Sequence, residues 1–501
     1  MRRWQLPWSR RWRRACLPKV APTSSRSSSG AGTRFGATLR GDPPARVEHM
    51  RTTLVPGARA VKARPRTYSP TKTAWLTMCL STLVAMGMLL LNPQAVWASA
   101  AMALDKSGGK HRLVSDFRAV NKTVEKSPAP MPDQEADMQR MGAATCYGSL
   151  DMLQGYWQMP LAPESQEMFT IAGPGGLYTP TRVPQGVLNA TSYFQATMTS
   201  LLSGLNCMVW VDDVIFWGHD EQDLLRTLDL ILERLEEVGL YAAAHKCVFF
   251  DTSISWCGKV YSQCAIQHDG ERVSGLANLR RPETAGELMQ FLQAVNWLRT
   301  SLPRMAEIVA PLRDLLEAHL VGNPNRTKSV ASNRSIAPEA WTPAYVASWE
   351  HAQDLAAQSV TLYHPREGSA VLMFPDASDE HWGSFLTQVP QVEFDTGVPV
   401  EDMSHEPLGF LSGTFRGSQL RWATVDKEGF VIVSTFRRLE YLLWGGVQIY
   451  TDHRNLAYIF NPEACVLSVP KTTAQRLEHW KLMVVTFCGY LARRRTCRYA
   501  S

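Results

Sequence analysis

Two apolar, β-forming runs meet at a pair of acids in the segment from Cys207 to Gly218, which reads CMVWVDDVIFWG. Residues of this type favour strands, and polar residues between two such runs favour the turn of a hairpin. The sequence therefore predicts a β-hairpin that exposes Asp212 and Asp213 at or near its tip.

A third acid stands upstream in the segment SLDMLQGYWQMP, where Asp151 ends a short apolar stretch before an aromatic-rich turn. An isolated Asp-Asp pair in a hairpin is more often turn chemistry than a metal site. Nucleotidyl transfer by two divalent ions, however, needs several hard oxygen ligands around metals about 4 Å apart. Asp151 and Asp212 could bridge such ions, with Asp213 alongside, so the three acids together indicate a metal-dependent active site.

Charge is distributed unevenly along the chain. The formal net charge is +6, but residues 1–73 hold 17 Lys and Arg against two acids, which leaves 35 basic and 44 acidic residues in the rest. Bulk charge therefore gives no support for nucleic-acid binding by the folded part. The ten cysteines form no Cys-x-x-Cys pair, so neither a zinc finger nor a disulfide framework is indicated.

The first two segments resist a functional interpretation. Residues 1–73 are rich in Arg, Ser, Pro and Gly without a hydrophobic period, which predicts disorder; a basic RNA-binding arm and an organellar transit peptide are alternatives. The uncharged run 74–91 (AWLTMCLSTLVAMGMLLL) is just long enough to be a transmembrane candidate. A buried segment competes evenly with that interpretation, and membrane attachment stays open.

A second group of acids lies near the end of the chain. Asp376 follows an apolar strand in VLMFPDASDEHWGSFLTQ, Glu428 is expected in the first turn of a helix that ends near Gly445 and Gly446, and Asp452 follows the strand VQIYT. Singly, Glu428 could be a first-turn acid and Asp452 a helix cap. Three acids at the ends of three elements also meet the needs of a second two-metal site, one that hydrolyses a phosphodiester.

Several segments, in order and spacing, resemble the motifs of gypsy-type reverse transcriptases of LTR retrotransposons. They are Trp97–Asn121 (WASAAMALDKSGGKHRLVSDFRAVN), SLDMLQGYWQM, Thr179–Gln195 (TPTRVPQGVLNATSYFQ), VWVDDVIFWG, His245–Phe250 (HKCVFF), Ser255–Ser262 (SWCGKVYS) and Arg280–Leu316. The region around the second group of acids resembles the RNase H domain of the same elements. The resemblance covers well over half of the chain and is carried by several independent motifs.

The resemblance implies roles for individual residues. Asp151, Asp212 and Asp213 match the palm carboxylates that bind Mg²⁺ or Mn²⁺, and Asp376, Glu428 and Asp452 match the metal-binding acids of RNase H. Arg112 and Lys106 match fingers residues that hold the incoming triphosphate, Tyr156 the ring that excludes a 2′-hydroxyl, and Gln185 and Gly186 a turn against the nucleotide and template. One departure is Trp210, which stands where the family usually has Tyr; we expect reduced rather than abolished activity.

The predicted fold class is α/β (α+β), with a right-hand polymerase domain followed by an RNase H-like mixed α/β domain that is truncated at its C-terminus. After residue 487 the family pattern breaks off and no fourth carboxylate is found, so we expect impaired RNase H activity. The predicted divisions are 1–73, a disordered segment; 74–91, a hydrophobic segment; 92–275, fingers and palm; 276–320, a thumb-like helical region; 321–368, a linker; 369–490, the RNase H-like domain; and 491–501, a basic tail.

The expected function is RNA-directed DNA synthesis, with an RNA template, a DNA primer, deoxynucleoside triphosphates and an RNA–DNA hybrid as partners. The expected location is the cytoplasm or nucleus, with membrane or organellar targeting as an alternative. A non-catalytic, retroelement-derived protein that binds nucleic acid is the rival interpretation; the intact Asp triad argues against it. The sequence leaves the oligomeric state open.

Overall fold

The computed structural model describes residues 41–105, 111–129, 131–142, 144–322, 326–443, 446–453, 456, 480, 499 and 500. The chain divides into two compact units. Unit 1 comprises residues up to 137 together with 144–252, and unit 2 comprises residues 138–143 together with 253–501.

Unit 1 contains two β-sheets and seven α-helices among the described residues. Its helices are α1 Pro70–Ala85, α2 Arg118–Asn121, α3 Gln134–Asp137, α4 Gly155–Gln158, α5 Pro163–Gln166, α6 Ala190–Leu201 and α7 Glu221–Val238, with 3-10 turns at Glu167–Phe169 and Ala244–Lys246. Its strands are β1 Leu89–Leu91, β2 Ser99–Asp105, β3 His111–Ser115, β4 Cys146–Asp151, β5 Ile171–Gly173, β6 Gly176–Pro180, β7 Cys207–Trp210, β8 Asp213–Gly218 and β9 Val248–Asp251. The strand orders are β1-β6-β5-β2-β3 and β7-β8-β4-β9.

The second of these sheets is the apolar centre of unit 1. Strand β8 lies between β7 and β4, and Val214, Ile215 and Phe216 on it are completely buried. Gly148 on β4 is required by the close approach of the two strands, because a Cβ there would lie 2.1 Å from the Phe216 ring. The predicted hairpin is therefore confirmed, and its strands anchor the acids at its tip.

Local sequence signals explain where helix α7 begins and ends. The Asp220 side chain accepts a hydrogen bond from the backbone N–H of Asp223 at the helix start, and Gly239 ends the helix in the left-handed conformation. Between them the helix buries a stripe of apolar residues at helical spacing, namely Leu224, Leu228, Ile231 and Leu235. This stripe packs in the core that includes β8.

The prediction of disorder is wrong for residues 41–73. Ala45 and Met50 are buried in the core of unit 1, and Met50 pairs with Leu161 in an isolated β-bridge. The backbone N–H of Ala45 donates to the Gln158 carbonyl, and the Tyr193 hydroxyl donates to the Glu48 carbonyl. The sequence did not indicate that this segment is ordered, because its composition is basic and its few buried residues follow no helical or strand period.

The hydrophobic run 74–91 is divided between two elements. Most of it lies in α1, which buries Leu76 and Leu80, while Leu89–Leu91 pairs antiparallel with β6 as an edge strand. Among the described residues, no helix is both long and apolar enough to cross a bilayer. Four residues of the run, Leu76, Leu80, Met88 and Leu89, are buried in the core of unit 1.

Unit 2 combines a small sheet, a group of helices and a larger mixed sheet. Its helices are α8 Gly270–Ala277, α9 Ala285–Trp297, α10 Met305–Ile308, α11 Ala310–Leu320, α12 Lys328–Ser332, α13 Pro343–Ala357, α14 Gln391–Asp395 and α15 Thr424–Leu439, with 3-10 turns at Met138–Met141, Arg299–Ser301, Pro338–Ala340, Val400–Asp402, Gly417–Arg421 and Glu440–Leu442. Its strands are β10 Ser253–Trp256, β11 Lys259–Ser262, β12 Ala265–His268, β13 Leu362–Tyr363, β14 Ser369–Ala377, β15 His381–Pro390, β16 Glu406–Thr414, β17 Gln448–Tyr450 and β18 Tyr499–Ala500.

The interpretation of 321–368 as a linker is wrong for most of its length. Helix α13 buries Trp349, Ala352 and Ala356 in the core of α9 and its neighbours, and the rings of Trp349 and Phe291 lie 4.0 Å apart. Strand β13 then pairs with β12. The polar stretch before α13 resembles a linker in composition, but the apolar residues that follow recur at helical spacing and need a partner surface.

The larger sheet has the strand order β16-β15-β14-β17-β18. Strands β14, β15 and β16 pair antiparallel, whereas β14 and β17 run parallel. Helix α15 packs Val431, Ile432 and Phe436 into one core with Met373 and Leu386 of the sheet. This arrangement places the ends of β14 and β17 beside the same helix.

Candidate active sites

The three acids of the first group lie together in unit 1. Asp213 at the start of β8 faces Asp151 at the end of β4 and Trp210 at the end of β7. The backbone N–H of Met152 donates to the Asp212 carbonyl at 2.9 Å. Two strand ends and one hairpin tip therefore bring together residues that are distant in sequence, as the sequence analysis predicts.

Each of the acids has a distinct environment. Asp213 is half-buried, and its burial, followed by the charges of Asp212 and Asp151, raises its pKa to about 6. Asp151 accepts from the Lys246 ammonium at 3.0 and 2.8 Å through its two oxygens. The charge of Lys246 opposes the rise in the pKa of Asp213 but does not outweigh it.

Lys246 is a residue whose role the sequence analysis missed. It lies in the HKCVFF segment, which carries part of the resemblance without suggesting a function. In the structure it ends a 3-10 turn just before β9, the strand beside β4. The only sequence signal was the presence of that motif, since the ion pair with Asp151 spans 95 positions of the chain.

The acids suit a divalent metal ion by the type of their donor atoms rather than by their present arrangement. Among the described residues, no group of three or more His, Cys, Asp or Glu is arranged to hold a metal ion. Carboxylate oxygens are nevertheless the donors that Mg²⁺ and Mn²⁺ prefer. Burial is the main cause of the raised pKa of Asp213, and the charges of Asp212 and Asp151, which a cation would offset, add to it. An ion that bound Asp151 would replace the ammonium of Lys246.

The residues expected to contact the nucleotide are partly paired with one another. Arg112 on β3 donates from Nε and Nη2 to Gln185 Oε1, at 3.1 and 2.5 Å. Gly186 has φ +95°, and its carbonyl accepts from the Asn121 side chain at 2.9 Å. This turn therefore needs the left-handed conformation that glycine adopts without strain. Lys106 lies outside the described residues.

Tyr156 is the second residue of α4, and two side chains contact it. Its ring lies 5.4 Å from that of Phe194, and its hydroxyl lies 3.1 Å from Thr191 Oγ1. Burial raises the pKa of the phenol above its ordinary value. The two contacts fix the ring in one orientation, which suits a residue that acts by shape.

The acids of the second group also meet. Met373 on β14 pairs in parallel with Ile449 on β17, so Asp376 and Asp452, each three residues further on, stand at the same level of the sheet. Glu428 reaches them from α15: its Oε1 accepts from the backbone N–H of Ala377 at 3.1 Å. Burial, followed by the charges of Asp452 and Asp376, raises the pKa of Glu428 to about 7.

One detail of this site differs from the prediction. Helix α15 begins at Thr424 and ends at Leu439, earlier than expected, and its first-turn acid is Asp426. Glu428 therefore lies one turn further into the helix, where it is 3% exposed. The helix dipole falls off within the first turn, so burial and neighbouring charge, not the dipole, set the protonation of Glu428.

Comparison with known proteins gives the same two regions. Residues 104–260 match the family described as reverse transcriptase (RNA-dependent DNA polymerase). Residues 368–487 match the family described as an RNase H-like domain found in reverse transcriptase. The two matched regions contain all six acids.

Similar curated proteins are retrotransposon polyproteins. The chain is 26% identical over 391 residues to the retrovirus-related Pol polyprotein from transposon gypsy of Drosophila melanogaster, covering 77% of this chain and 35% of that protein. It is 24% identical over 405 residues to the transposon Tf2-3 polyprotein of Schizosaccharomyces pombe, covering 80% and 28%. The chain thus spans about a third of the length of these relatives.

Solved structures show the same fold. The foamy viral protease-reverse transcriptase in complex with double-stranded DNA matches with a TM-score of 0.69 and 19% identity, over 91% of this chain and 74% of that chain. The foamy viral enzyme in complex with an RNA/DNA hybrid matches with a TM-score of 0.65 and 19% identity, over 91% and 57%.

Proposed function

We propose that this chain, a retrotransposon-type protein with a reverse transcriptase domain followed by an RNase H-like domain, copies RNA into DNA. The observation that carries the proposal is the meeting of Asp151, Asp212 and Asp213 at two strand ends and a hairpin tip. The partners we infer are an RNA template, a DNA primer, deoxynucleoside triphosphates and the resulting hybrid. The foamy viral enzymes support the nucleic-acid partners, since their structures contain double-stranded DNA and an RNA/DNA hybrid.

The proposed reaction is attack of the primer 3′-hydroxyl on the α-phosphate of a paired deoxynucleotide, with pyrophosphate leaving. Bound divalent ions would lower the pKa of that hydroxyl and stabilise the charge on the phosphate oxygens. Asp151, Asp212 and Asp213 would hold these ions. Arg112 neutralises the triphosphate, because a guanidinium can donate two hydrogen bonds to phosphate oxygens. To do so it exchanges its present acceptor, Gln185 Oε1, for phosphate.

The protein adds selectivity through shape. Tyr156 offers a flat ring whose position is set by Phe194 and Thr191, and such a ring beside the sugar excludes a 2′-hydroxyl sterically. Template bases are read by Watson–Crick pairing, so the protein needs to grip only the backbone and shape of the hybrid.

The second site supports hydrolysis of the RNA strand of the hybrid. Asp376, Glu428 and Asp452 offer hard oxygen donors for the same class of ion. Burial and the charges of Asp452 and Asp376 raise the pKa of Glu428, and a bound cation would favour its carboxylate form. We propose this activity as a companion to synthesis.

Primer extension tests the first activity. The purified full chain, an RNA template with a DNA primer and Mg²⁺ should give extended primers, and Asp212→Asn should abolish extension. Asp251→Asn is the matched control, because it removes an equal charge from an exposed position of the same sheet, on strand β9, which pairs with β4. Undiminished extension by Asp212→Asn would contradict the metal-site assignment. Hybrid binding without extension by the wild-type chain would favour the non-catalytic alternative.

Hybrid cleavage tests the second activity. A labelled RNA–DNA hybrid should lose its RNA strand when the chain and Mg²⁺ are added. Glu428→Gln should abolish that loss while primer extension persists. Glu440→Gln, an exposed position just after the same helix, is the control. If Glu428→Gln cleaves as fast as the control, the second site does not work as proposed.

A further inference from the structure

The tip of the acidic hairpin is built on a strained residue. Val211 has φ +57°, one of four residues other than glycine with positive φ among the described part of the chain. This region is disfavoured for L-residues, and it is least tolerated by β-branched side chains such as valine. Strands β7 and β8 pair only up to Trp210 and Asp213, so the ladder itself does not fix Val211 and Asp212. The Met152 N–H holds the Asp212 carbonyl from outside the hairpin, and the Val211 N–H needs a partner of its own.

A buried glutamine makes the contact that the hairpin lacks. Gln195 on α6 is 3% exposed, and its Oε1 accepts from the backbone N–H of Val211 at 2.7 Å. Its Nε2 donates to the Val209 carbonyl at 2.9 Å and to Thr199 Oγ1 at 3.0 Å. One amide group therefore satisfies a donor and an acceptor on either side of Trp210.

The two backbone bonds determine how the amide is oriented. Val211 N–H can only donate and the Val209 carbonyl can only accept, so Oε1 must face the first and Nε2 the second. A methionine of similar length offers neither group, and an asparagine is shorter by one methylene. Loss of the amide would leave the part-buried N–H of Val211 without its partner, at a backbone conformation that is already disfavoured.

We propose that Gln195 is a positioning residue that holds Val211 in its left-handed conformation and thereby aims Asp212 and Asp213 at Asp151. The proposal rests on the proposed polymerase function, but its structural part does not depend on activity. Gln195 acts through the hairpin backbone and not by contact with substrate or metal. The strain at Val211 persists because a rigid, buried partner on α6 opposes its relaxation.

Hydrogen exchange in the metal-free chain tests the structural part. Gln195→Met should speed exchange of the backbone N–H groups in a peptide that spans residues 207–218, while peptides from α7 stay unchanged. Thr199→Val is the matched control, because it removes only the bond from Gln195 to its own helix and leaves both hairpin bonds. Exchange at the tip that is equal in wild type and Gln195→Met would overturn the proposal.

Steady-state kinetics test the functional part. We expect Gln195→Met to lower kcat for primer extension by about tenfold, the effect of one part-buried donor that loses its partner, with unchanged affinity for the primer–template. Thr199→Val should keep kcat within about twofold. A loss confined to primer–template affinity would assign Gln195 to nucleic-acid binding and overturn the positioning role.

A second substitution distinguishes positioning from general stability. Glycine adopts positive φ readily, so Val211→Gly should remove much of the need for Gln195. Gln195→Met should therefore cost much less in the Val211→Gly background than in the wild-type background; an equal cost in both would overturn the proposal. If Gln195→Met does not fold, Gln195→Asn replaces it. If the wild-type chain does not extend primers, the proposed function fails. Hydrogen exchange still tests whether Gln195 holds Val211 in its left-handed conformation.

Discussion

Replacing Glu428 by glutamine should stabilise unit 2, and the gain should depend on pH in a defined direction. Burial and the charges of Asp452 and Asp376 raise the pKa of Glu428 from 4.5 to about 7. The folded state therefore holds a proton that the unfolded state releases near its ordinary pKa. Folding stability is lost as pH rises from about 4.5 to about 7, and the loss is complete above that window.

The size of the effect follows from the same shift. Each pKa unit corresponds to about 1.4 kcal/mol, so moving the pKa from 4.5 to about 7 costs about 3 kcal/mol of folding stability above pH 7. Glutamine carries no charge, and its Oε1 can still accept from the Ala377 N–H. Glu428→Gln should thus be more stable than wild type by about 3 kcal/mol at pH 8 and by little at pH 5.

Thermal unfolding in the presence of a chelator is the assay, because a bound metal ion would offset the repulsion between Glu428 and the two aspartates. The transition that reports unit 2 should rise by several degrees at pH 8 in Glu428→Gln and stay close to that of wild type at pH 5. Glu440→Gln, an exposed acid just after α15, should show no such pH dependence. An equal shift in the unfolding temperature at both pH values would refute the reasoning, since a packing effect does not depend on the protonation of Glu428.

Three further outcomes are expected. At limiting Mg²⁺, extension should increase as pH rises through about 6, because Asp213 must lose its proton to bind a cation; a rate that is flat from pH 5 to 7 would contradict this. Tyr156→Ala should relax discrimination against ribonucleotides in single-nucleotide incorporation assays, while Tyr156→Phe, which keeps the ring, should not. Gly148→Ala should destabilise unit 1 by about 1–3 kcal/mol, because the added methyl meets the Phe216 ring, and Phe216→Leu in the same chain should restore part of the loss in denaturant unfolding.

Local patterns predicted the elements that carry the acids. The apolar runs on both sides of Asp212 and Asp213 form a hairpin because strand propensity and a short turn act over a few residues. The apolar stripe and both caps of α7 likewise depend on residues that are close together in the chain. The disorder predicted for residues 41–73 and the linker predicted for 321–368 were wrong for one reason. Both predictions rested on the composition of the segment alone. Met50 and Trp349 are buried by residues that lie elsewhere in the chain, which composition does not reveal.

The sequence by itself determined which acids are available and on which strand ends they stand. Only the tertiary structure decided what surrounds them. Asp151 meets Lys246 across 95 positions of the chain, and Val211 is held by Gln195 from another element. Burial of Glu428, not its place along the helix, raises its pKa. Strand formation depends on neighbours in sequence, but desolvation, ion pairing and the satisfaction of a buried N–H depend on distances in space, which no local pattern encodes.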